Sequence, residues 1–576
     1  MNELTDELYF SATHDTTMKI CFFWVEKFRN LRNFGLNMDS SQTFRYDRDA
    51  NRISRTPLAP LPANFFPPVI ADVAAVVGQN GVGKSNVLEL LCRLLKGSKS
   101  ANFDFLLIYE DGKDMHCCHR FRKVEQPDSE FRMRFHDEIH DNLLRVIFYS
   151  NVHTDRQRSL GSGVVDLSPD QPIRNALEHD ERKTVEFQKQ IWFMNADSGF
   201  GETGIQPPTH VEINVARGPL DPGRARHEPG PLQVFRRASA RIRDRIRRIE
   251  PQRRLATFLT LIFFSRILTK TYKLLEEKET GDSLLRQLNK LIEMSEVIPP
   301  GEICVNLLGY LDKYVPAIPA DMAETRTSSG IKRPGLGNLA RNLKYLWRLV
   351  NVPLDFKFEQ SDAEFRNMDI VTFQLEFFPR SREWLIELLD NFRGMQLFSV
   401  NWTGISSGQR AYLSLFSLIA YELSRTKDDF VFLAIDEGDL YLHPMWQVEF
   451  FSRLLDVLQR AYKGKVQLLL TSHSPFLLAD LPRQNFTVLS ALEAAELENP
   501  ALQRETFGGN LYDLYAGPLF IDTLKTSLFA QQKLREMAAK ARVRPMPASR
   551  KQELMDQTRL IGDDIVKNLI IRDLND

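Results

Sequence analysis

The first quarter of the chain carries hydrophobic runs of strand length that are separated by polar turns. Residues 18–77 contain several of these runs and are predicted to form strands. The last run, residues 73–77, is β-branched and ends at a glycine, and residues 86–95 then show helical periodicity. Two more runs joined by Asp111-Gly112 predict a β-hairpin. This part of the chain is therefore expected to combine strands with a helix.

The middle of the chain has a different pattern. From residue 155 to about 231, polar residues, glycines and prolines predominate and predict little regular structure. Helical periodicity returns over residues 233–297 and 338–350, with a flexible linker predicted at 319–337. Strands are predicted again further on, at 370–378. An irregular and then mainly helical segment is therefore expected to separate two parts that are rich in strands.

A glycine-rich sequence follows the predicted strand at 73–77. Residues 78–85 read Gly-Gln-Asn-Gly-Val-Gly-Lys-Ser and fit the phosphate-loop pattern G-x-x-x-x-G-K-[ST]. Glycines at this spacing let backbone N–H groups converge on a phosphate, Lys84 contacts the β- and γ-phosphates, and the Ser85 hydroxyl ligates Mg²⁺. A chance glycine turn is the alternative, and the flanking strand and helix argue against it. The expected nucleotide-binding residues are Gly78, Asn80, Gly81, Gly83, Lys84, Ser85 and Asn86.

Two carboxylates and a histidine follow predicted buried strands in the C-terminal half. Residues 430–435 form an apolar run that ends in Asp436 and Glu437, the Walker B arrangement. Asp436 is expected to hold Mg²⁺ through water, and Glu437 to orient and polarise the attacking water. The next predicted strand, 466–471, leads to His473, which can contact the γ-phosphate as a sensor. A lone histidine is more often structural, but its position after two nucleotide motifs favours the sensor role.

Small residues precede another predicted helix. Gly-Ile-Ser-Ser-Gly-Gln at residues 404–409 opens a helical pattern that runs to about Arg425. A helix N-terminus of this kind is an anion site, although a plain capped helix has the same local sequence. In this order of motifs the segment resembles the signature motif of ABC-type ATPases. That resemblance implies phosphate-facing positions for Ser406 and Gly408, with Gln409 beside them.

Together these motifs resemble a known family. The sequences GQNGVGKS, ISSGQ, FLAIDEGDLYLHP and LLLTSHSP are similar to those of ABC-like ATPases grouped with the OLD, RecF and SMC proteins. The LHP and SHSP elements are typical of the bacterial defence branch, and TFGGNL at 506–511 resembles a segment of ATPases encoded beside an HNH nuclease. Within the family the chain looks most similar to the PtuA ATPases of Septu anti-phage systems, which also occur as retron effectors. The resemblance covers about residues 80–150 and 400–520.

Two positions depart from the family pattern. Gly438 stands where a proline usually follows the acidic pair, which leaves both carboxylates in place. The glutamine of the Q-loop is not evident in the sequence. The corner at Ser150-Asn151, which follows a strand predicted at 144–149, is the candidate for the equivalent contact.

The resemblance implies an α/β fold. The expected architecture is an ABC-type P-loop NTPase head that is split by a large, mainly helical insertion and followed by a helical C-terminal extension. The expected domains are an N-terminal ATPase lobe at 1–155, the insertion at 156–395, a C-terminal ATPase lobe at 396–520 and the extension at 521–576.

ATP and Mg²⁺ are the cofactors that the resemblance implies, and ATP hydrolysis to ADP and phosphate is the implied reaction. In this class the phosphate loop of one subunit and the signature helix of another enclose one ATP, which implies a head-to-tail homodimer or a higher oligomer. No nuclease centre is evident, since the roughly 100 residues after His473 contain no strand-end acidic set. The leading hypothesis is a regulatory subunit that controls a separate HNH nuclease in an anti-phage complex, including a retron system. The alternative is a RecF- or SMC-like DNA-binding ATPase of repair or chromosome maintenance.

Between Arg236 and Arg254 the chain carries nine arginines. Ile242, Ile246 and Ile249 fall on one face of a predicted helix, so the segment is amphipathic and basic. A solvated face paired with acidic neighbours, a contact with nucleic-acid phosphates and a protein partner are all compatible with this pattern.

Composition narrows the class of protein. The 576 residues contain 75 Lys+Arg and 75 Asp+Glu, and this zero net charge excludes a uniformly basic nucleic-acid coat. Five scattered cysteines do not support a secreted disulfide framework, and the N-terminus carries acids where a signal peptide is basic. The longest apolar stretch, 255–264, is about half a membrane span. The sequence therefore predicts a cytoplasmic protein of several domains that has no membrane contact.

Overall fold

The computed structural model of the protein describes most of both ends of the chain and parts of its middle. The described residues are 18–78, 81–112, 114–122, 126–139, 144–152, 158, 160–169, 176–195, 198–216, 254–263, 290, 302, 305–306, 308–309, 339–351, 358–359, 370–392, 397–489, 505–511, 514 and 527–575. Asn80, the arginine-rich segment up to residue 253 and the predicted linker at 319–337 lie outside these ranges.

The strands of the described residues are numbered in chain order. They are β1 (Met18–Phe28), β2 (Leu31–Asn37), β3 (Gln42–Asp47), β4 (Arg52–Pro57), β5 (Ile70–Gly78), β6 (Phe105–Asp111), β7 (Asp114–Arg120), β8 (Asp128–Ser129), β9 (Arg134–His136), β10 (Arg145–Ser150), β11 (Val164–Asp166), β12 (His210–Ala216), β13 (Phe358–Glu359), β14 (Ile370–Glu376), β15 (Phe398–Thr403), β16 (Phe430–Asp436), β17 (Lys465–Ser472) and β18 (Phe486–Leu489).

The helices are numbered in the same way. They are α1 (Lys84–Gly97), α2 (Ala176–Asn195), α3 (Leu339–Asn351), α4 (Pro379–Phe392), α5 (Ser407–Arg425), α6 (Pro444–Ala461), α7 (Pro475–Asp480), α8 (Leu528–Ala541), α9 (Ala548–Thr558) and α10 (Asp564–Asn575). Residues 254–263 are also helical. Within the described part of the chain, none of the helices combines the length and the apolar character that crossing a membrane requires.

Six strands form a parallel sheet in the order β11-β10-β16-β17-β5-β18. The inner strands β10, β16, β17 and β5 consist largely of buried apolar residues, as expected for a parallel sheet that is covered on both faces. The carboxyl ends of parallel strands meet at one edge of the sheet. The α/β class is therefore confirmed, and the strand ends that carry the predicted motifs lie side by side.

Each face of the parallel sheet packs against a different layer. One face packs against α1 and against a five-stranded sheet of order β2-β1-β6-β7-β9. That second sheet contains the predicted hairpin, since β6 and β7 pair antiparallel around Asp111 and Asp114. The opposite face packs against a core to which α2, α5, α6 and residues 254–263 contribute. Both faces of the parallel sheet are thereby covered.

The described part of the insertion contains more regular structure than its sequence predicts. The segment expected to be irregular holds α2, which has twenty residues, and β12, whose Val211, Ile213 and Val215 are buried in alternation. The prediction was wrong there because the surrounding glycines and prolines outweighed the short apolar patterns of these two elements. β12 belongs to a four-stranded sheet of order β13-β14-β12-β15. The insertion is therefore not only helical, and the boundary expected at residue 396 falls inside this sheet.

The last three helices form a small unit with its own core. α8, α9 and α10 pack around the buried residues Ala541, Leu554, Ile570 and Leu574. Among the helices and strands of the described residues, these three helices make their extensive contacts with one another. The chain end at 527–575 is thus a three-helix unit.

A buried glutamine connects the two large sheets. Gln467 on β17 accepts a hydrogen bond from the backbone N–H of Ile20 (2.9 Å) and donates one to the Ile20 carbonyl (2.7 Å). Gln467 is 1% exposed, and Ile20 is fully buried on β1. The side-chain amide thus takes the place of a neighbouring strand at this point and satisfies both backbone groups.

Replacing Gln467 with Leu is expected to destabilise the protein by about 2–4 kcal/mol, because two buried backbone groups of Ile20 lose their partners. The measurement is the urea midpoint of unfolding followed by circular dichroism. Gln532→Leu, at an exposed position of α8, is the matched control and is expected to shift the midpoint little. Equal midpoints for the two variants would show that Gln467 does not join the sheets.

Candidate active site

The glycine-rich loop connects the end of β5 to the start of α1. Gly78, Gly81 and Gly83 have φ angles of 154°, 80° and 108°, in the region that favours glycine. A Cβ on Gly83 would overlap the side-chain amide of Asn30, and one on Gly78 would overlap the carbonyl of Leu489. The local sequence is therefore glycine-rich for two reasons, backbone conformation and close packing. The loop presents the N-terminus of α1 at the carboxyl edge of the sheet, as a phosphate site requires.

The turn between β1 and β2 packs against this loop and holds it in place. The sequence by itself does not predict this contact. Asn30 donates to the Val82 carbonyl (2.6 Å) and accepts from the side-chain amide of Asn86 (2.6 Å). Arg29 donates to the Asn86 side chain (2.6 Å) and forms an ion pair with Glu89. The sequence Arg29-Asn30 after a buried strand does not indicate this role, because the residues that it contacts lie more than fifty positions further along the chain.

Three hydroxyl groups surround the carboxylate of Asp436 at the end of β16. Ser85 and Thr471 donate to Oδ1 at 3.0 and 2.6 Å, and Ser150 donates to Oδ2 at 3.0 Å. The Asp436 side chain is 1% exposed, and burial raises its pKa although the hydrogen bonds from Thr471 and Ser85 oppose this. The structure thus brings the predicted pair Ser85 and Asp436 together and adds Ser150, at the predicted corner, and Thr471.

Glu437 has a strained backbone that its neighbours hold in place. Its φ of 51° is unusual for a residue with a side chain. The Glu437 N–H donates to the Thr471 carbonyl (3.1 Å) and side-chain oxygen (3.0 Å). Strain of this kind is typical of functional sites, where it aims a side chain that a relaxed backbone would point elsewhere.

The Glu437 carboxylate, the Lys84 ammonium and the His473 ring meet at one point. Glu437 Oε1 lies 2.6 Å from His473 Nε2 and 3.8 Å from Lys84 Nζ. Lys84 Nζ lies 2.8 and 2.9 Å from the two ring nitrogens of His473, and it donates to the Gly78 carbonyl (3.1 Å). Burial lowers the pKa of Lys84, and the charge of Glu437 opposes this. A cation, an acid and an imidazole therefore occupy the same edge of the sheet.

The residues around Asp436 fit a magnesium ion. A buried carboxylate whose donors are hydroxyl groups supplies only oxygen atoms, and hard cations such as Mg²⁺ prefer oxygen ligands. The raised pKa of Asp436 means that burial penalises its charge, and a bound cation would relieve that penalty. Ser85 and Asp436 would hold the ion.

Gly438 and Asp439 shape the turn that follows the acidic pair. A Cβ on Gly438 would lie 2.7 Å from side-chain atoms of both Ile435 and Phe450, so glycine is required there by packing. Asp439 accepts a hydrogen bond from Ser472 (2.7 Å), and burial raises the pKa of Asp439 to about 6. The departure from the family's proline therefore has a steric cause in this chain.

The predicted signature residues lie at a separate helix N-terminus. Ser406 caps α5 by accepting from the Gln409 N–H (3.1 Å), and the Gln409 side chain accepts from the Ser406 N–H (2.8 Å). Gly408 approaches the backbone of Tyr441 so closely that a Cβ would lie 3.0 Å from the Tyr441 carbonyl oxygen. The expected helix is confirmed, and its capping box engages Ser406 and Gln409 with each other.

A cleft of about 370 Å³ is lined by residues from the end of β1, from α1 and from the segment before β6. Phe28 and Phe103 meet edge to face in its wall, with the guanidinium of Arg29 over the first ring and that of Arg93 over the second. Because Arg29 also contacts Asn86, the cleft adjoins the N-terminus of α1.

A glycine loop, a buried aspartate and an adjacent glutamate meet at the edge of a parallel sheet, which is the arrangement of a P-loop nucleotide-binding site. Residues 341–479, about a quarter of the chain, match the family model described as "AAA domain, putative AbiEii toxin, Type IV TA system". This P-loop family is related to ABC- and OLD-like ATPases. The match contains the signature segment, the acidic pair and His473, whereas the phosphate loop lies before it. No curated protein matches the chain.

Gly83→Ala is expected to abolish nucleotide binding, because its Cβ would overlap Asn30 and displace the loop. Gly112→Ala is the matched control, since Gly112 also has a positive φ (63°) but its Cβ would meet open space. We expect the control to lose about 1 kcal/mol of stability and to keep its nucleotide affinity. Titration with a fluorescent ATP analogue and Mg²⁺ measures the affinity of the two variants, and thermal unfolding measures their stability. Equal affinities would mean that the Asn30 contact does not shape the loop.

Proposed function

We propose that this protein binds and hydrolyses ATP with Mg²⁺ at the site around Lys84, Ser85, Asp436, Glu437 and His473. The observation that supports this most strongly is the convergence of these five side chains, from three separate parts of the sequence, at one sheet edge. Each of the five side chains has a polar atom within 3.8 Å of a polar atom of another of the five.

The roles follow from the chemistry of each group. The backbone N–H groups of the loop and Lys84 bind the β- and γ-phosphates, with Gly81 and Gly83 allowing close approach. Ser85 and Asp436 hold Mg²⁺, whose charge offsets that of the phosphates. Glu437 accepts hydrogen bonds from the attacking water and orients it toward the γ-phosphate. His473, in contact with both Lys84 and Glu437, responds to the presence of that phosphate.

Two substitutions separate binding from hydrolysis. Lys84→Ala is expected to weaken ATP binding at least about tenfold, because it removes a buried cation from the phosphate site. Glu437→Gln is expected to bind ATP normally and to hydrolyse it at least about 100-fold more slowly, because an amide orients water less effectively and cannot accept its proton. Binding is measured by titration and hydrolysis by phosphate release.

Glu449→Gln is the control, because Glu449 lies on α6 and pairs with Arg453 of the same helix. This variant is expected to leave ATP binding and ATP hydrolysis unchanged. ATP hydrolysis by Glu437→Gln at the wild-type rate would refute the assignment of the water-orienting residue. Unchanged ATP binding by Lys84→Ala would refute the site itself.

The site of one subunit would be completed by a second, in a head-to-tail homodimer. Two features support this part of the proposal. The capping hydrogen bonds of the helix N-terminus at Ser406 join it to Gln409 of the same turn, and Gly408 packs closely against the backbone of Tyr441, so this N-terminus does not contact the subunit's own phosphate loop through them. Tyr441 and Met445, which follow the acidic pair, are 62% and 63% exposed. Large exposed apolar side chains of this kind are typical of a surface that binds a partner. ATP would join the two subunits, and hydrolysis would separate them.

The ATPase is further proposed to regulate a separate HNH nuclease in an anti-phage complex, including a retron-type one. The description of the matching family, which mentions a toxin and a type IV toxin–antitoxin system, is consistent with a defence role. The C-terminal three-helix unit offers a surface for such a partner, since Leu560 and Ile565 are 87% and 74% exposed and Leu569 lies one turn beyond Ile565. A RecF- or SMC-like DNA clamp is the other outcome that the test distinguishes.

The test is purification of the protein from cells that express its neighbouring genes. We expect a nuclease subunit to co-purify, and the double variant Ile565→Asp/Leu569→Asp to lose that subunit while its ATP hydrolysis stays unchanged. Asn568→Asp, on the same exposed face, carries a new charge without removing an apolar side chain and is the control. ATP-dependent, salt-sensitive DNA binding by the protein without any partner would instead support the clamp.

A further inference from the structure

Helix α2 of the insertion packs against the helix that begins at the signature segment. α2 lies beside α5 and β15, and its Phe187 stacks on Trp402 of β15 with ring centroids 4.3 Å apart. Both rings are buried. The signature turn, residues 404–408, comprises the short connection between β15 and α5 and the first two residues of α5. α2 therefore touches the elements on both sides of this turn.

One side chain of α2 hydrogen-bonds to both of those elements. The Gln190 side-chain oxygen accepts from the indole N–H of Trp402 (2.7 Å), and its amide nitrogen donates to the hydroxyl of Ser414 (2.9 Å). The same nitrogen donates to the carboxylate of Glu186 (3.2 Å), which in turn accepts from Ser414. Gln190 is 4% exposed, so water does not compete strongly for these contacts.

The chemistry of this position requires a group that is both donor and acceptor. Trp402 offers only an N–H donor, so its partner must accept. The hydroxyl of Ser414 donates its one proton to Glu186, so a partner at the hydroxyl oxygen must itself donate. A side-chain amide meets both needs, whereas a carboxylate or an aliphatic group meets at most one of them.

The orientation of the signature turn depends on the positions of β15 before it and α5 after it. Trp402 lies two residues before Gly404, whose φ of 77° turns the chain toward Ser406. The Trp402 carbonyl accepts from the Arg410 guanidinium (3.0 Å) on the first turn of α5. Ser414 lies one further helical turn along α5. A shift of α2 would therefore move β15 and α5 together, and with them the orientation of residues 404–408.

Hydrogen bonds also fix the corner at Ser150-Asn151, at the end of β10. The Tyr149 hydroxyl donates to the Asn151 side chain (2.7 Å), and Asn151 donates to the Gly438 carbonyl (3.1 Å). Tyr149 belongs to the same buried core as Phe187 and Ile191 of α2.

We infer that Gln190 is a positioning residue for the signature turn: by joining Trp402 to Ser414 it sets the orientation in which the turn meets the nucleotide of a second subunit. This inference rests on the proposed function. It assigns the inserted helix a role in closing the composite site, and it leaves the binding of ATP to the subunit's own phosphate loop independent of Gln190.

The test compares Gln190→Leu with Gln188→Leu in the full-length protein. Gln188 lies on the same helix, and its side chain bonds to Asp390 near the surface (2.8 Å), which makes it the matched control. For Gln190→Leu we expect the dissociation constant for ATP to stay within about twofold of wild type, and ATP-dependent dimerisation and kcat to fall about tenfold, as for the loss of buried hydrogen bonds. Gln188→Leu is expected to match wild type in all three.

A double-mutant cycle makes the assignment specific. Trp402→Phe keeps an aromatic ring against Phe187 but removes the N–H donor, so it is expected to lower dimerisation and kcat in the same way without changing ATP affinity. Adding Gln190→Leu to Trp402→Phe is then expected to cause a smaller loss than Gln190→Leu alone. Should Gln190→Leu not fold, Trp402→Phe by itself tests the contact.

Three results would overturn the inference. Gln190→Leu could dimerise and hydrolyse ATP like Gln188→Leu, or it could lose ATP affinity, kcat and melting temperature in parallel, as a general packing defect does. Independent effects of Gln190→Leu and Trp402→Phe in the cycle would also contradict it. Absence of ATP hydrolysis by the wild-type protein would instead refute the proposed function, and the inference would then fail with it.

Discussion

The buried carboxylate of Asp436 is the group on which the arrangement of the candidate site depends. Its hydrogen bonds join β16 to α1 through Ser85, to the end of β10 through Ser150 and to β17 through Thr471. These residues are distant in sequence, and the parallel sheet places their strand ends side by side. Burying a charge among neutral donors is unfavourable by itself, as the raised pKa of Asp436 reflects. The same arrangement is suited to a cation, so the unfavourable burial and the proposed magnesium site have one origin.

Strain and stability are distributed around this carboxylate in a consistent way. Glu437 adopts a left-handed backbone conformation, and Thr471 holds it with the same hydroxyl that bonds to Asp436. The conformation is tolerable because the flanking strands are buried on both faces and because Gln467 fastens β17 to the antiparallel sheet. A rigid sheet therefore maintains a local geometry that the isolated segment would not adopt.

Sequence patterns predicted the local parts of this site well, and they failed where the contacts are distant. The glycine loop, the acidic pair and the capped helix at Ser406 are short motifs with the chemistry written in adjacent residues, and their strands and helices are confirmed. Asn30 and Thr471 were missed because each acquires its role only through a partner that the fold brings near. α2 and β12 were missed because short amphipathic patterns are weak signals among glycines and prolines. The roles of the predicted residues in catalysis remain predictions, since geometry alone does not measure a rate.

The insertion is part of the fold that carries the candidate site. β12 pairs with β15 on one side and β14 on the other, so a strand that precedes most of the insertion lies beside the strand that leads into the signature turn. Removing the part of the insertion that carries α2 and β12 would take away both the strand that pairs with β15 and Gln190, the hydrogen-bond partner of Trp402. A displacement of α2 would therefore be passed to the signature turn through the buried contacts of Gln190 with Trp402 and Ser414. In the proposed head-to-tail dimer the turn of one subunit meets the loop of another, so such a movement would alter dimer closure before it altered ATP binding.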